Sequence, residues 1–155
     1  MNLIPIERNG ETIILKKILN PLEADVCRAN AAMYERLGFQ KPWIAYLAAV
    51  DQMIIGTCAF KGPPKNGAIE ISYFTFPKFE SMGFASQMAS LLITIARQSG
   101  PDLEIVAHTL PKETASTKIL KKKGFVNLGE IQNPDSDPNV PTVWKWGLQP
   151  PKKAK

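Results

Sequence analysis

The clearest alternation of hydrophobic and polar positions lies in residues 68–76. Ile69, Ile71 and Tyr73 occupy every second position, and the segment is rich in β-branched and aromatic residues. This pattern predicts a β-strand, because successive side chains of a strand point to opposite faces of a sheet. Pro77 ends the predicted strand, since proline has no backbone N–H to donate to a neighbouring strand.

The hydrophobic period changes further along the chain. Small and aliphatic residues recur at spacings of three and four between Ala85 and Ala96, which predicts one apolar stripe along a helix. Gly100 and Pro101 end this helix, and a second apolar strand follows over Leu103–Ala107. A strand, a crossover helix and a strand of these lengths predict a parallel pair with a right-handed connection.

Shorter signals predict the other elements. Asn20 is a typical helix cap with Pro21 at the first helical position. Asp51 and Gln52 separate two apolar runs and predict a two-residue hairpin turn, while the proline and glycine content of residues 62–67 predicts a loop. The remaining predictions are an arm at residues 1–10, strands at 12–18, 43–50, 53–61, 125–132 and 142–148, helices at 21–37 and 112–123, and a loop at 133–141.

Together these elements predict an α/β fold built on a mixed sheet. We expect the sheet to be mostly antiparallel, with one parallel pair and with helices on both faces. Residues 1–150 are expected to form a single domain, and residues 151–155 a disordered basic tail.

Composition narrows the classes of protein and of partner. With 155 residues, 45% of them hydrophobic and 21% charged, the chain is expected to bury a core. Its net charge of +5 is compatible with an anionic ligand, but much of the excess lies in Lys121–Lys123 and the C-terminal tail, which argues against a nucleic-acid-binding face. Cys27 and Cys58 have neither metal-ligand nor disulfide-framework spacing. We therefore expect a cytoplasmic protein without a bound metal, a nucleic-acid partner or membrane attachment.

The turn Ser81–Ala85 is the first candidate binding site. A helix N-terminus has unpaired backbone N–H groups and a partial positive charge, so it favours anions such as a pyrophosphate. The small side chains of Ser81, Gly83 and Ala85 would let a ligand approach the backbone closely. An ordinary strand-to-helix loop is equally compatible, and the turn matches neither a Walker loop nor a Gly-x-Gly-x-x-Gly fingerprint.

Several short motifs occur in a fixed order along the chain. They are Glu70-Ile-Ser-Tyr73, Pro77, the Gly83-Phe-Ala85 turn, Glu113-Thr-Ala-Ser116 and Lys123-Gly-Phe125. These motifs and the order of the predicted elements resemble the GNAT family of acetyl-CoA-dependent N-acetyltransferases, over roughly residues 10–148. The chain looks closest to the branch that includes the ribosomal-protein alanine acetyltransferases.

The resemblance implies acetyl-CoA as cosubstrate. In GNAT proteins neighbouring strands splay apart and the pantetheine arm enters the gap, which here would lie between Ile71–Phe76 and Leu103–Thr109. Backbone groups of Phe74, Thr75 and Phe76 would then pair with the pantetheine amides. The implied cofactor-binding residues are Phe74, Thr75, Phe76, Ser81, Met82, Gly83, Phe84, Ala85, Ser86 and Ser116.

Glu70 and Ser116 are the implied catalytic residues. Acetyl transfer to an amine requires that an ammonium proton is lost and that the leaving thiolate is protonated. Glu70 matches a glutamate that acts as base in part of the family, the alternative being an exposed or substrate-orienting carboxylate. Ser116 matches a small hydroxyl residue near the thioester sulfur, the alternative being a plain helix serine. Relatives often have a tyrosine four residues further on, which acts as the general acid. This chain has Leu120 at that position, so no residue is assigned as general acid.

Other residues with reactive or bulky side chains have simpler interpretations. His108, the only histidine, is expected to pack in its neutral form, with an acid or substrate contact as the alternative. Cys58 is expected to be a core residue, since no partner base is evident. Trp144 and Trp146 share one face of the last strand, where they would pack together or form a wall of the acceptor pocket.

Two functional hypotheses follow. The first is an N-acetyltransferase that uses acetyl-CoA by direct transfer in a ternary complex. Its partner would be an amine-bearing small molecule or a peptide N-terminus, and homodimer formation is left open. The second is a non-catalytic CoA-binding or regulatory module of the same fold. Three departures from the family pattern motivate this second hypothesis. Leu120 replaces the tyrosine, and Glu80 and Glu113 replace family residues that would favour the cofactor.

Overall fold

The computed structural model describes residues 1–13 and 18–152. Among these residues, no helix is long and apolar enough to cross a membrane. A 3₁₀ turn at Pro77–Phe79 follows the fourth strand. The other elements are β1 (Asn2–Pro5), α1 (Pro21–Leu37), β2 (Ala45–Val50), β3 (Met53–Phe60), β4 (Ala68–Thr75), α2 (Phe84–Ser99), β5 (Glu104–Thr109), α3 (Ala115–Lys122), β6 (Val126–Gln132) and β7 (Thr142–Leu148).

All seven strands belong to one mixed sheet, in the order β1-β2-β3-β4-β5-β7-β6. Neighbouring strands are antiparallel except for β4 and β5, which are parallel and are joined through α2. The helices cover both faces: Met88 of α2 lies against Gly56 of β3, whereas Asn30 of α1 lies beside Thr57, the next residue of that strand. The predicted mixed sheet with one parallel pair is therefore confirmed.

The local sequence signals at the start of α1 and between β2 and β3 correspond to the predicted structures. The Asn20 side chain accepts a hydrogen bond of 2.8 Å from the Glu23 N–H and so caps α1. Asp51 and Gln52 have φ angles of 49° and 68°. Positive φ at both central residues is the geometry of the tight turn that best matches the twist of a hairpin.

The N-terminal region differs from the prediction. Residues 2–5, predicted as part of an arm, form β1, which pairs antiparallel with β2. The predicted strand at residues 12–18 falls partly on residues 14–17, which lie outside the described residues; Thr12 forms an isolated bridge with Ile6. Of the predicted tail, residues 153–155 also lie outside the described part of the chain.

The packing of α2 against the sheet sets the position of the site. Met88, Leu92 and Ala96 are fully buried, and they face the equally buried Ile69 and Ile71 of β4. Burying a large aliphatic side chain contributes about 1.5–3 kcal/mol. This packing fixes the N-terminus of α2 beside the end of β4.

Candidate active site at the gap between two parallel strands

The pairing between β4 and β5 stops part-way along both strands. Although β4 continues to Thr75 and β5 to Thr109, the two strands pair over a short stretch only. The pairs are Ala68↔Glu104, Ile69↔Ile105 and Glu70↔Val106. Beyond these pairs the strands form a gap, which begins at residue 71 on β4, as predicted, and at residue 107 on β5, later than predicted.

The register between β3 and β4 determines which backbone groups face this gap. The Phe76 N–H donates to the Ile55 carbonyl at 2.9 Å, so the backbone of Phe76 is directed to β3. Backbone groups alternate between the two edges of a strand, so Phe74 is also directed to β3. Tyr73 and Thr75 present theirs to the gap. Phe74 and Phe76 thus direct their backbone groups to β3, and of the three residues predicted to pair with pantetheine only Thr75 directs its backbone groups to the gap.

A cavity of about 480 Å³ lies beside the gap, on the face of the sheet that α2 and α3 cover. It contains the predicted cofactor-binding residues except two: Phe76 is buried in the core, and the Met82 side chain is 60% exposed outside the cavity. The lining residues are Tyr73, Phe74, Thr75, Phe79, Glu80, Ser81, Gly83, Phe84, Ala85, Ser86, Ala115, Ser116 and Ile119.

The N-terminus of α2 opens into this cavity. Its first residue is preceded by Gly83, which has a φ of 82° and provides no side-chain cap. A Cβ atom on Gly83 would meet no atom within 4 Å, so the space in front of the turn is open. The other two helices are capped by the side chains of Asn20 and Thr114. The N–H groups of Phe84–Ser86 are thus placed to bind an anion.

The two carboxylates that depart from the family motif, Glu80 and Glu113, have different environments. Glu80 is exposed and lines the cavity, so a negative charge stands close to the anion-binding turn. The carboxylate of Glu113 accepts hydrogen bonds from Lys121 Nζ at 2.9 Å and from Thr117 Oγ1 at 3.1 Å. These partners, Lys121 first, lower the pKa of Glu113. The charge of Glu113 is therefore balanced within α3, whereas that of Glu80 is not placed in an ion pair among the described residues.

Tyr73 and Ser116 bring two hydroxyl groups together in the cavity lining. Burial raises the pKa of Tyr73 to about 12, and the hydroxyl of Ser116 partly opposes this rise. The Tyr73 Oη atom is fully buried and forms no hydrogen bond of ordinary geometry with any described residue. The sequence pattern placed Tyr73 on one face of a strand with Ile69 and Ile71 and gave no sign that its hydroxyl would lie at a site.

A second group of polar side chains lies at the same gap. The Glu70 carboxylate is 2.9 Å from Nδ1 of His108, which comes from β5. Glu70 Oε2 is also 3.7 Å from Lys61 Nζ, and this ammonium group donates to Asp135 at 2.6 Å. The partner of His108 is thus the candidate base itself. Lys61 and Asp135 were not predicted, since nothing local in the sequence connects residues that far apart.

The cysteine and tryptophan predictions are confirmed. Cys58 is 1% exposed within β3, and burial raises the pKa of its thiol to about 12, which keeps it protonated. Trp146 is buried and donates from Nε1 to Thr109 Oγ1 at 3.0 Å. The ring of Trp144 packs edge-on against it at 6.3 Å between centroids.

The sequence itself defines the family. Residues 15–126 match the family profile described as the acetyltransferase (GNAT) domain. Because this match covers most of the chain, the protein belongs to the GNAT acetyltransferase family, as the motifs predicted. A comparison with curated protein sequences gives no significant match.

Solved structures of acetyltransferases share the fold. The yncA protein of Salmonella typhimurium, solved with its cofactor acetyl-CoA, is 19% identical, with a TM-score of 0.63 over 90% of this chain and 79% of that one. RimL, a ribosomal L7/L12 alpha-N-protein acetyltransferase in complex with coenzyme A, is 18% identical, with a TM-score of 0.64 over 83% and 71%. A GNAT acetyltransferase from Elizabethkingia anophelis with acetyl-CoA bound is 20% identical, with a TM-score of 0.60 over 68% and 75%. At these identities the similarity establishes the fold.

Proposed function

We propose that this protein is an N-acetyltransferase that moves an acetyl group from acetyl-CoA to a primary amine, in one step within a ternary complex. The observation that carries the proposal is the gap between β4 and β5 beyond Glu70 and Val106. The cavity with the α2 N-terminus lies beside this gap, and the pair of Glu70 and His108 lies at its start. Similar structures that hold acetyl-CoA or coenzyme A support the choice of cosubstrate.

The cavity residues divide into two groups in their proposed binding of acetyl-CoA. The N–H groups at Gly83–Ser86, with Ser81 beside them, would receive the pyrophosphate, because an uncapped helix N-terminus favours anions. The backbone of Thr75 would pair with the pantetheine arm as an added strand does at a sheet edge. Phe76 is left out of this proposal, because its N–H and C=O already bond to Ile55 and Phe79.

Glu70 is the proposed base. A neutral amine attacks a thioester carbonyl readily, so the main task of the protein is to take the ammonium proton and to hold the reactants in place. The hydrogen bond with His108 fixes the orientation of the carboxylate, and Lys61 Nζ lies 3.7 Å from the same carboxylate oxygen. Direct transfer is favoured over a covalent intermediate, because the buried, protonated thiol of Cys58 is not a nucleophile.

The proposed acceptor is a peptide N-terminus or a small molecule with a primary amine. Its ammonium form would approach the Glu70 carboxylate, and Asp135 adds a second negative group on the same side. RimL, whose name states that it acetylates a protein α-amino group, supports a peptide N-terminus as one such acceptor.

Acetyl-CoA and coenzyme A are both expected to raise the melting temperature of this protein. A ligand that binds only the folded state stabilises it by RT ln(1 + [L]/Kd), about 2.7 kcal/mol at a concentration of 100 Kd. Differential scanning fluorimetry with each ligand, and with adenosine as a control without pyrophosphate or pantetheine, measures the shift. The absence of a shift at millimolar coenzyme A would contradict the proposed site.

A panel of amines then separates the enzyme from a non-catalytic binding module. We expect release of free thiol from acetyl-CoA to depend on the amine, and the acetylated product to be visible by mass spectrometry. The panel should include peptides with free and with blocked N-termini, polyamines and amino acids. A thermal shift without turnover of any amine would favour the binding module.

A further inference from the structure

The buried hydroxyl of Tyr73 has a place in the proposed reaction. We infer that Tyr73 donates the proton, by way of a direct hydrogen bond, to the sulfur that leaves the acetyl group. Ser116 positions the tyrosine hydroxyl from α3. The inference rests on the proposed acetyl transfer. It assigns the role of general acid to a residue of β4, because the GNAT motif position that often carries this acid is Leu120 in this chain.

The motif position itself cannot supply the acid. Leu120 stands where relatives often have a tyrosine, and its side chain is 0% exposed and carries no proton to give. Ser116 lies one helical turn before it and lines the cavity. Tyr73 reaches Ser116 from the sheet side of the same cavity, so a phenol is present although it comes from a different element.

The hydrogen bonding of Tyr73 also points to a ligand. Buried hydroxyl groups nearly always have a partner, and an unmet one is unfavourable. Two other buried tyrosines of this protein satisfy that rule: Tyr34 donates to the Ile6 carbonyl at 2.8 Å, and Tyr46 to the Pro42 carbonyl at 2.6 Å. Tyr73 Oη, in contrast, forms no hydrogen bond of regular geometry with any described residue, although the Ser116 hydroxyl lies close enough to lower its pKa. Its missing partner would arrive with the thioester.

The strand geometry separates the two proton transfers. Glu70 and Tyr73 are three positions apart on β4, so their side chains lie on opposite faces of the sheet. Glu70 meets His108 on one face, and Tyr73 meets Ser116 beneath α2 and α3 on the other. An acetyl group held in the gap would thus have the base on the side of the incoming amine and the phenol on the side of the departing sulfur.

The acidities of the two groups are compatible. Burial raises the pKa of Tyr73 to about 12, so the phenol is protonated at neutral pH and ready to donate. Burial alone raises the pKa of the Cys58 thiol to about 12 in this same protein. A thiolate that is released into the cavity also loses part of its hydration, which raises its affinity for a proton and favours proton transfer from the phenol.

The amine nitrogen forms a bond to the acetyl carbon, the carbon–sulfur bond breaks, and the sulfur leaves with the electron pair. The sulfur takes the proton of Tyr73 Oη and becomes the free thiol. The ammonium acceptor loses two protons in all. Glu70 takes the first before the attack and releases it to solvent. The second leaves the nitrogen as the amide forms and returns to the phenolate through solvent, or through Ser116 by exchange with its hydroxyl proton.

Tyr73→Phe tests the inference through two measurements. We expect kcat to fall roughly 10²-fold, with KM for acetyl-CoA nearly unchanged. We also expect the pKa of the thiol of bound coenzyme A, followed by the ultraviolet absorbance of the thiolate, to be higher in the variant, because a hydrogen bond from Tyr73 stabilises the thiolate. Tyr46→Phe is the matched control, since it removes a buried tyrosine hydroxyl away from the cavity. Its kcat and bound-thiol pKa should equal those of the wild type.

Stability adds a third observation. Tyr73→Phe removes a buried hydroxyl without a regular partner, so its melting temperature should match or exceed that of the wild type, whereas Tyr46→Phe loses a hydrogen bond and should melt lower. An unchanged pKa of the bound coenzyme A thiol in Tyr73→Phe would overturn the inference, whether or not turnover slows. Such a result would mean that Tyr73 packs in the cavity without a hydrogen bond to the sulfur. The thiol measurement needs no acceptor, so it decides the question even if no amine is turned over. Failure of coenzyme A to bind would instead remove the proposed function as well.

Discussion

Glu70→Gln should lower kcat roughly 10²-fold or more while the affinity for coenzyme A stays nearly unchanged. Glutamine keeps the shape of the side chain and one hydrogen-bonding oxygen, but it cannot take a proton from the acceptor. The carboxylate lies at the start of the gap and not in the cavity lining, so cosubstrate binding should not depend on it. Steady-state kinetics with the best amine, together with the thermal shift, measures both parts.

Two further variants make this experiment specific. Glu130→Gln makes the same change on the exposed strand β6, where the carboxylate accepts one hydrogen bond from the described residues, that of Thr142, and its kinetics should equal those of the wild type. His108→Gln removes the imidazole that bonds to Glu70. If Glu70 is the base, His108→Gln should be the milder of the two site variants. A larger loss in His108→Gln would transfer the role of base to the histidine, and activity of Glu70→Gln within a few-fold of the wild type would remove Glu70 from the mechanism.

Gly83→Val should weaken coenzyme A binding by roughly 10²-fold, which corresponds to the loss of about two hydrogen bonds to a charged group. The branched side chain would extend into the open space in front of the α2 N-terminus and keep the pyrophosphate from the backbone N–H groups. Isothermal titration calorimetry with coenzyme A measures the loss.

The backbone strain of this substitution needs its own control. Gly83 has a φ of 82°, and valine is disfavoured there whatever the space around it. Gly67 has a φ of 77° and equally open surroundings, but it lies before β4 and away from the cavity. Gly67→Val should therefore cost similar stability and leave the affinity unchanged. Equal affinity losses in the two variants, or none in Gly83→Val, would place the pyrophosphate site elsewhere.

The sequence predicted most elements because their signals act over a few residues. Asn20 with Pro21, the pair Asp51 and Gln52, and Pro77 each restrict the backbone near their own position, whatever the rest of the fold does. Strand β1 was missed for the opposite reason. Its four residues become a strand only through pairing with β2, which lies far along the chain.

The candidate site was less predictable for the same reason. The motif located Glu70 and the turn at Gly83, but the ion pair of Lys61 with Asp135 joins residues 74 positions apart. Side-chain alternation also placed Tyr73 on the same face of its strand as Ile69 and Ile71, without showing that its hydroxyl would lie beside a cavity. Which backbone groups face the gap depends on the register with β3, and a strand pattern contains no information about its neighbour.

The short ladder between β4 and β5 has a consequence for the cooperativity of the whole molecule. The first four strands of the sheet and the last three are joined edge to edge over residues 68–70 and 104–106 alone. Beyond this ladder the two groups are connected through α2, which packs on β3 and β4 and touches α3, and through the side-chain contacts of Glu70 with His108 and of Lys61 with Asp135. Groups of strands with so few shared hydrogen bonds can open as separate units, at a lower free energy than global unfolding. A thioester bound in the gap would contact both groups of strands. Part of its binding free energy would then raise the cooperativity of unfolding, because neither group could open without losing the ligand.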